Sequence, residues 1–175
     1  MGADVRTVSR SEERLGKLEE LYAHHFPGAV GLAYLLIGDH HQAEDLAQEA
    51  FVRLAGRFRH LRDPQAFGAY LRKTVVNLHL SGLRRRRLER AYLLRHGPAT
   101  VEMRSDMPDV PGRRDLWRLL QMLSPRQRAA VVLRYYEDLS ERETAAILRC
   151  SVAAVKSLVA RSMETLRSEL RGEGE

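Results

Sequence analysis

The sequence predicts an all-α protein: two small helical domains joined by a flexible linker. Three observations carry that expectation. Apolar residues recur at spacings of three and four along most of the chain, with no alternating strand pattern. Helix-capping residues punctuate it at Asp39, Asp63, Ser124, Ser140 and Ser151. Breakers crowd one stretch, with His96-Gly97-Pro98, Met107-Pro108 and Val110-Pro111-Gly112 all between Glu89 and Arg113.

Taken in order, residues 1–11 are polar and expected to be disordered. A first helix is expected from about Glu12 to Leu36, with an interruption allowed near Pro27-Gly28, and Gly38 ends it. Asp39 caps the next, with Gln42 as its capping partner. Ala43, Leu46, Ala47, Ala50, Phe51 and Leu54 form its core face. Asp63-Pro64 starts a third helix to about Arg87, burying Phe67, Leu71, Val75, Leu78 and Gly82. The first domain is thus 12–88, and 89–113 reads as linker. In the second domain, 114–171, Asp115 caps a helix over Leu116–Met122. Ser124-Pro125 opens another to about Tyr136, with Ala129, Val132, Leu133 and Tyr136 turned toward a helix-turn-helix. In that motif Ser140 and Glu143 make a capping box for Glu141–Leu148; Arg149, Cys150 and Ser151 turn the chain; Ser151 caps a helix from Val152 to about Leu166. Ala145 allows close packing, and Ile147, Leu148, Val155, Leu158 and Val159 fill the contact. Residues 172–175 are tail.

Composition narrows the partners. The 175 residues carry 29 Lys plus Arg against 23 Asp plus Glu, a net +6, mostly as arginine. That favours a polyanion without choosing among DNA, RNA and anionic lipid. Cys150 is the only cysteine, which excludes an intrachain disulfide and suits a reducing, cytoplasmic compartment. The charged N-terminus is no signal peptide, and the longest apolar run, Ala29 to Ile37, is too short for a membrane span, so stable membrane insertion is not expected.

Three surfaces stand out. A short helix, tight turn and longer helix, with Lys156, Ser157 and Arg161 facing out, suit entry into a DNA major groove; an ordinary helical hairpin with solvated charges is the alternative. On the Asp39 helix, Glu44 and Gln48, and Asp45 and Glu49, are four apart and line the face away from the core. They fit either a basic protein partner or complementation of the helix N-terminus, although Glu49 lies beyond the first turn. On the third helix, Tyr70, Lys73, Asn77, Ser81 and Arg84 form one stripe that runs into Arg84–Arg87. Aromatic, amide and basic groups so interleaved suit unstacked bases and their backbone. Tyr70 alone could be a half-buried core residue, and the arginines a solvated helix end.

These residues also carry a family resemblance. The run Glu44-Asp45-Leu46-Ala47-Gln48-Glu49-Ala50-Phe51 resembles the core-binding signature of bacterial sigma factors. Ala69-Tyr70-Leu71 through Asn77 and Leu83-Arg84-Arg85 resembles their −10 segment. Leu123-Ser124-Pro125-Arg126-Gln127-Arg128, Leu133 to Ser140 and Ser151 to Ser157 resemble their −35-binding domain. The layout is similar to that of the extracytoplasmic-function (ECF) subfamily of the sigma-70 family, which keeps sigma domains 2 and 4. The resemblance implies that Glu44, Asp45, Gln48 and Glu49 bind core RNA polymerase at the β′ clamp helices, with further contact to the β subunit. It implies that Arg62, Tyr70, Lys73, Asn77, Ser81 and Arg84 capture and help melt −10 DNA. Arg126, Ser151, Ala154, Lys156, Ser157 and Arg161 would serve the −35 element. Promoter DNA is then the nucleic-acid partner, and an anti-sigma factor is a partner many members have. No cofactor, metal or catalytic residue is implied.

The chain departs from the family pattern at four places. Arg149 stands where glycine is usual, so either a non-glycine residue takes a left-handed backbone there, at about 1 kcal/mol or more, or the turn differs slightly; Leu158 stands where arginine is common. Ser81 replaces a frequent aspartate and Tyr70 a frequent tryptophan. An enzyme is a poor fit: there is no phosphate-cradling glycine loop and no zinc-spaced Cys/His set, and His24-His25 and His40-His41 are adjacent pairs on different helix faces. A stand-alone repressor leaves the acidic helix and the Tyr70 stripe without a role. A protein–protein adaptor is the third alternative, and salt-sensitive promoter binding by the holoenzyme would argue against it.

Overall fold

The computed structural model describes residues 4–57, 66–96 and 113–172. Across them α-helices run in the order α1 (Asp4–Ile37), α2 (His40–Ala55), α3 (Phe67–His96), α4 (Arg113–Gln121), α5 (Pro125–Val131), α6 (Glu141–Leu148) and α7 (Val152–Gly172). A π-helical segment, Val132–Tyr136, continues α5. No strand occurs among the described residues.

Helices α1, α2 and α3 pack on one another. Leu32, Ala33, Leu36, Ala43, Ala47, Ala50, Phe67, Leu71 and Val75 are almost wholly buried among them. Phe51 meets Phe67 edge-on at 5.4 Å. Leu46, Leu78 and Gly82, expected in this core, are only half-buried. The Asp39 cap forms as the sequence suggests, its carboxylate accepting from the Gln42 backbone N–H at 2.8 Å. Gly38 closes α1 with φ +83°, a conformation that favours glycine.

Four boundaries differ from expectation. α1 begins at Asp4, inside the stretch expected to be disordered, and it passes through Pro27 without interruption. Proline there removes one backbone donor. Tyr22 stacked on Phe26 at 4.3 Å, and edge-on to Phe51 at 5.1 Å, pins the helix just ahead of it. α3 runs on past Arg87 to His96, into the stretch expected to be linker, and stops where Gly97-Pro98 follow. The Arg85–Glu89 pair, one turn apart, fits helical continuation. α4 begins at Arg113, three residues before Leu116. α7 reaches Gly172 rather than Leu166. The Asp63-Pro64 start lies outside the described residues.

The second domain is built from caps that behave as their residue types dictate. Ser124 with Gln127, and Ser140 with Glu143, are both reciprocal capping boxes. Hydrogen bonds from the Ser140 hydroxyl and backbone hold the Glu143 carboxyl below the usual range. Ser151 accepts from the Ala154 backbone N–H at 3.1 Å. Ala129, Leu133, Ala145, Ile147, Leu148 and Val155 are buried, with Leu158 and Val159 packed against them. The π-helical segment replaces the last turn of the expected Pro125–Tyr136 helix. A widened turn shifts every later side chain around the axis. Tyr136 is therefore not turned toward α6 and α7; its hydroxyl lies against Gly31 of α1.

Candidate nucleic-acid and protein interfaces

Helix α2 presents the acidic face the sequence indicates. Glu44, Asp45, Gln48 and Glu49 are all exposed or half-exposed, opposite buried Ala43, Ala47 and Ala50. Two carboxylates have partners one turn away. Glu49 accepts from the Arg53 guanidinium, and Glu44 lies 3.4 Å from His40 Nδ1. Exposed pairs of this kind are worth about 0–1 kcal/mol, so a stronger partner displaces them readily. Asp45 makes no ion pair among the described residues. Asp45 and Glu49 also border an open groove of about 530 Å³ with Leu46, Leu78, Arg85 and Arg86.

Helix α3 brings Tyr70, Lys73, Asn77, Ser81 and Arg84 into one open groove of about 840 Å³. Its described walls include no carboxylate. Arg53 and Arg57 from the end of α2 join them, and so does Arg149 from the turn before α7. These three arginines were not legible as groove residues, because only the packing of α2 and α6 on α3 brings them there; the spacing of Arg53 and Arg57 by four is the one sequence hint. Tyr70 is 40% exposed, enough of a ring face to take a base. The Asn77 side-chain amide donates to the Lys73 carbonyl and the Ser81 hydroxyl to the Leu78 carbonyl, leaving their oxygens free to accept. Arg62 lies outside the described residues.

The turn before α7 is held by unusual means. Arg149 adopts φ 51°, ψ 54°, the left-handed conformation that glycine supplies without strain. The Cys150 backbone N–H closes it onto the Ala145 carbonyl at 3.1 Å. Arg126, expected on the DNA side, donates to the Leu148 carbonyl at 2.8 Å and so caps the C-terminal end of α6. Lys156, Ser157 and Arg161 are exposed on α7 with Ser151 at its start, while Ala154 is half-buried. Lys156 lies 3.6 Å from Glu141. Leu158 is half-buried, packed in part against the core. Relief of the left-handed strain predicts that Arg149→Gly raises stability by about 1 kcal/mol. The check is the urea midpoint at unchanged slope; a lower midpoint would show that the guanidinium contributes more than the strain costs.

The two domains meet through residues that sequence reasoning did not single out. Trp117 is 3% exposed, with its ring against Gly38. The Arg128 guanidinium lies over that ring, 4.6 Å from its centre. It donates to the carbonyls of Leu120 and Leu36 at 2.8 Å each, the second across to α1. Glu137, just after the π-helical segment, pairs with Arg72 of α3. Burial first, then Arg128 and Arg86, push His79 down to about 4. The unfolded chain therefore binds a proton near pH 6.5 that the native chain refuses. Stability from this group is complete above about pH 6.5 and lost as pH falls toward 4, a loss of about 3 kcal/mol. Urea unfolding of the wild type and His79→Asn at pH 7 and pH 4.5 checks it: carboxylate effects are shared, and the wild type should lose more. Equal losses would mean that His79 titrates normally.

Known proteins resemble this chain in sequence and in fold. Residues 21–89 match the family model for sigma-70 region 2, and residues 113–166 the model for sigma-70 region 4. The RNA polymerase sigma-E factor of Streptomyces avermitilis is 37% identical over 135 residues, 77% of this chain and 74% of the relative. The ECF RNA polymerase sigma factor SigE of Mycolicibacterium smegmatis is 33% identical over 176 residues, 97% of this chain and 67% of the relative. In the solved complex of the sigma factor RpoE with the anti-sigma factor NepR from Bartonella quintana, one chain has the same fold: TM-score 0.70, 24% identity, 87% of this chain and 96% of that one. The chain belongs to the sigma-70 family of RNA polymerase sigma factors, and within it to the ECF group. It is thus a transcription-initiation factor with a DNA-binding region 4.

Proposed function

We propose that this chain binds core RNA polymerase through the exposed face of α2, directs it to promoters by reading −35 and −10 elements, and assists melting at the second. Glu44, Asp45, Gln48 and Glu49 meet a basic surface, the β′ clamp helices. Carboxylates there repel DNA phosphate and attract such a partner. Tyr70, Lys73, Asn77, Ser81 and Arg84 take the −10 strand, with Arg62 joining from the preceding loop. Lys156, Ser157 and Arg161 read or flank the −35 duplex at the start of α7, where Ser151 and Ala154 border the groove. Arg126 holds the turn and keeps donors free for a phosphate. The observation that carries the reading is the α3 groove: five cationic side chains, one exposed aromatic ring and no carboxylate among its described walls, the chemistry of single-strand capture. Catalysis of bond formation is left to polymerase, which gives the chain a cytoplasmic place of work. Among the described residues no helix is long and apolar enough to cross a membrane. Transcription in vitro with core polymerase on a library of genomic promoters tests the proposal. Initiation at starts that share one pair of upstream elements is expected. Starts no more selective than those of core polymerase alone would overturn it.

A further inference from the structure

We propose that the groove between α2 and α3 binds a small apolar zwitterion of dipeptide size, and that this occupant competes with polymerase for Asp45. The groove is lined by apolar Ile37, Leu46 and Leu78. Gly82 keeps the space clear, since a Cβ there would meet only an Arg86 nitrogen, at 3.9 Å. At about 530 Å³ it falls in the size range of small-molecule sites. One polar group lining it is unmet. His79 is only 6% exposed, and its Nε2 is buried with no hydrogen-bond partner among the described residues. Buried polar groups in folded proteins are almost always paired, so an orphan beside a groove calls for a partner from outside the chain. The ring is uncharged near neutral pH, because burial, then Arg128 and Arg86, lower its pKa to about 4. A neutral imidazole donates from one nitrogen and accepts at the other, which suits a peptide bond.

The walls choose the charges. Glu49 is paired with Arg53, and Glu89 with Arg85, each one turn away on its own helix. That leaves Asp45 on α2 and Arg86 on α3, neither in an ion pair among the described residues. One negative and one positive group on opposite walls of an apolar trough complement a molecule with an ammonium at one end and a carboxylate at the other. A lone cation or anion leaves one wall unanswered. Packed helices lie about 8–10 Å apart. A dipeptide spans about 7 Å between its charged ends, whereas a single amino acid carries both charges on one carbon and cannot reach both walls. Asp45 also belongs to the face that the proposed function gives to polymerase. It cannot serve both, so the two partners should exclude each other. The competition rests on that reading; the site itself does not.

Titration of the full chain with L-leucyl-L-phenylalanine tests the site. Binding is read by calorimetry and by a saturable shift of the His79 ring resonance, assigned by its absence in His79→Gln. Acetylating the dipeptide's amine or amidating its carboxylate should each weaken binding at least about tenfold, and free phenylalanine should bind no better than those two. Asp45→Asn should weaken the free dipeptide by a similar factor and leave the acetylated form unchanged, because the partner it loses is the ammonium. Arg86→Gln should do the same with respect to the amide. Gly82→Leu should abolish binding by filling the trough, at unchanged helical content. Arg86 is exposed, so Arg86→Gln decides the matter if Gly82→Leu disturbs the fold. At about ten times its dissociation constant, the dipeptide should weaken capture of core polymerase about tenfold, as mass action requires. No saturable binding at about 10 mM, equal binding of blocked and free forms, or binding that survives Arg86→Gln undiminished would overturn the site. Capture indifferent to bound dipeptide would overturn the competition. A wild type that fails to capture core polymerase would sink the functional reading instead, since the titrations need no polymerase.

Discussion

Reversing two charges on α2, Asp45→Arg with Glu49→Arg, should reduce capture of core polymerase about 100-fold or more while leaving the fold nearly intact. Both side chains are exposed and neither belongs to the buried face of Ala43, Ala47, Ala50 and Phe51. Losing Glu49 frees Arg53, but an exposed pair one turn apart contributes only about 0.3–0.5 kcal/mol to the helix. At a docked interface the same substitutions set like charges against a basic partner, where close charge pairs couple by about 1.5–7 kcal/mol. The asymmetry between a small folding effect and a large binding effect makes the variant informative. Circular dichroism checks helical content, and pull-down against core polymerase at physiological salt reads affinity. Wild-type capture by a folded double variant would remove this face from the docking surface. The single variants should rank with Asp45→Arg the more damaging, because Asp45 has no intrahelical ion pair to exchange.

What could be read from the sequence was what local chemistry decides. Asp39, Ser124, Ser140 and Ser151 cap their helices because a side-chain oxygen satisfies a backbone donor two or three residues away. The stripe from Tyr70 to Arg84 lies in one groove because helical spacing alone aligns it. The left-handed backbone at Arg149 was legible as an alternative, since a turn that usually takes glycine either strains its replacement or changes shape.

What escaped depends on partners distant in sequence. Pro27 reads as a breaker, yet Phe26 and Tyr22 pack where only the folded α2 supplies Phe51. The Ala129–Leu133 pattern reads as plain α-helix, and nothing in its spacing announces a π-helical turn. The role of Arg128 is the clearest case: its acceptors Leu36 and Leu120 are 92 and 8 residues away, and no short window on the sequence contains both. Gly38 reads only as a helix stop and Gly31 carries no signal in the sequence; their proximity to Trp117 and Tyr136 appears only in the folded chain. Local rules therefore recovered the elements and their faces, while the meeting of the two domains required the tertiary structure.

Replacing Tyr70 with alanine should impair promoter opening by about 10- to 100-fold and leave closed-complex binding almost unchanged. The ring is half-exposed at the mouth of the α3 groove, with its hydroxyl in no hydrogen bond among the described residues. It contributes little to the core of Phe67, Leu71 and Val75, so the fold should survive. Its value lies in a flat apolar face that a flipped or unstacked base can cover, worth about 1–3 kcal/mol. Such stacking exists only after base pairs separate, whereas Lys73 and Arg84 attract phosphate in duplex and single strand alike. Phenylalanine at this position should therefore retain most of the activity. Alanine at Lys73 or Arg84 should weaken both stages and flatten their salt dependence. Permanganate footprinting on linear and pre-melted templates separates the two stages. If Tyr70 assists strand separation itself, a pre-opened bubble should rescue the alanine variant. If it captures a strand already open, the defect should persist on the bubble. A variant that opens linear promoters at the wild-type rate would remove Tyr70 from both roles and leave the groove a purely electrostatic surface.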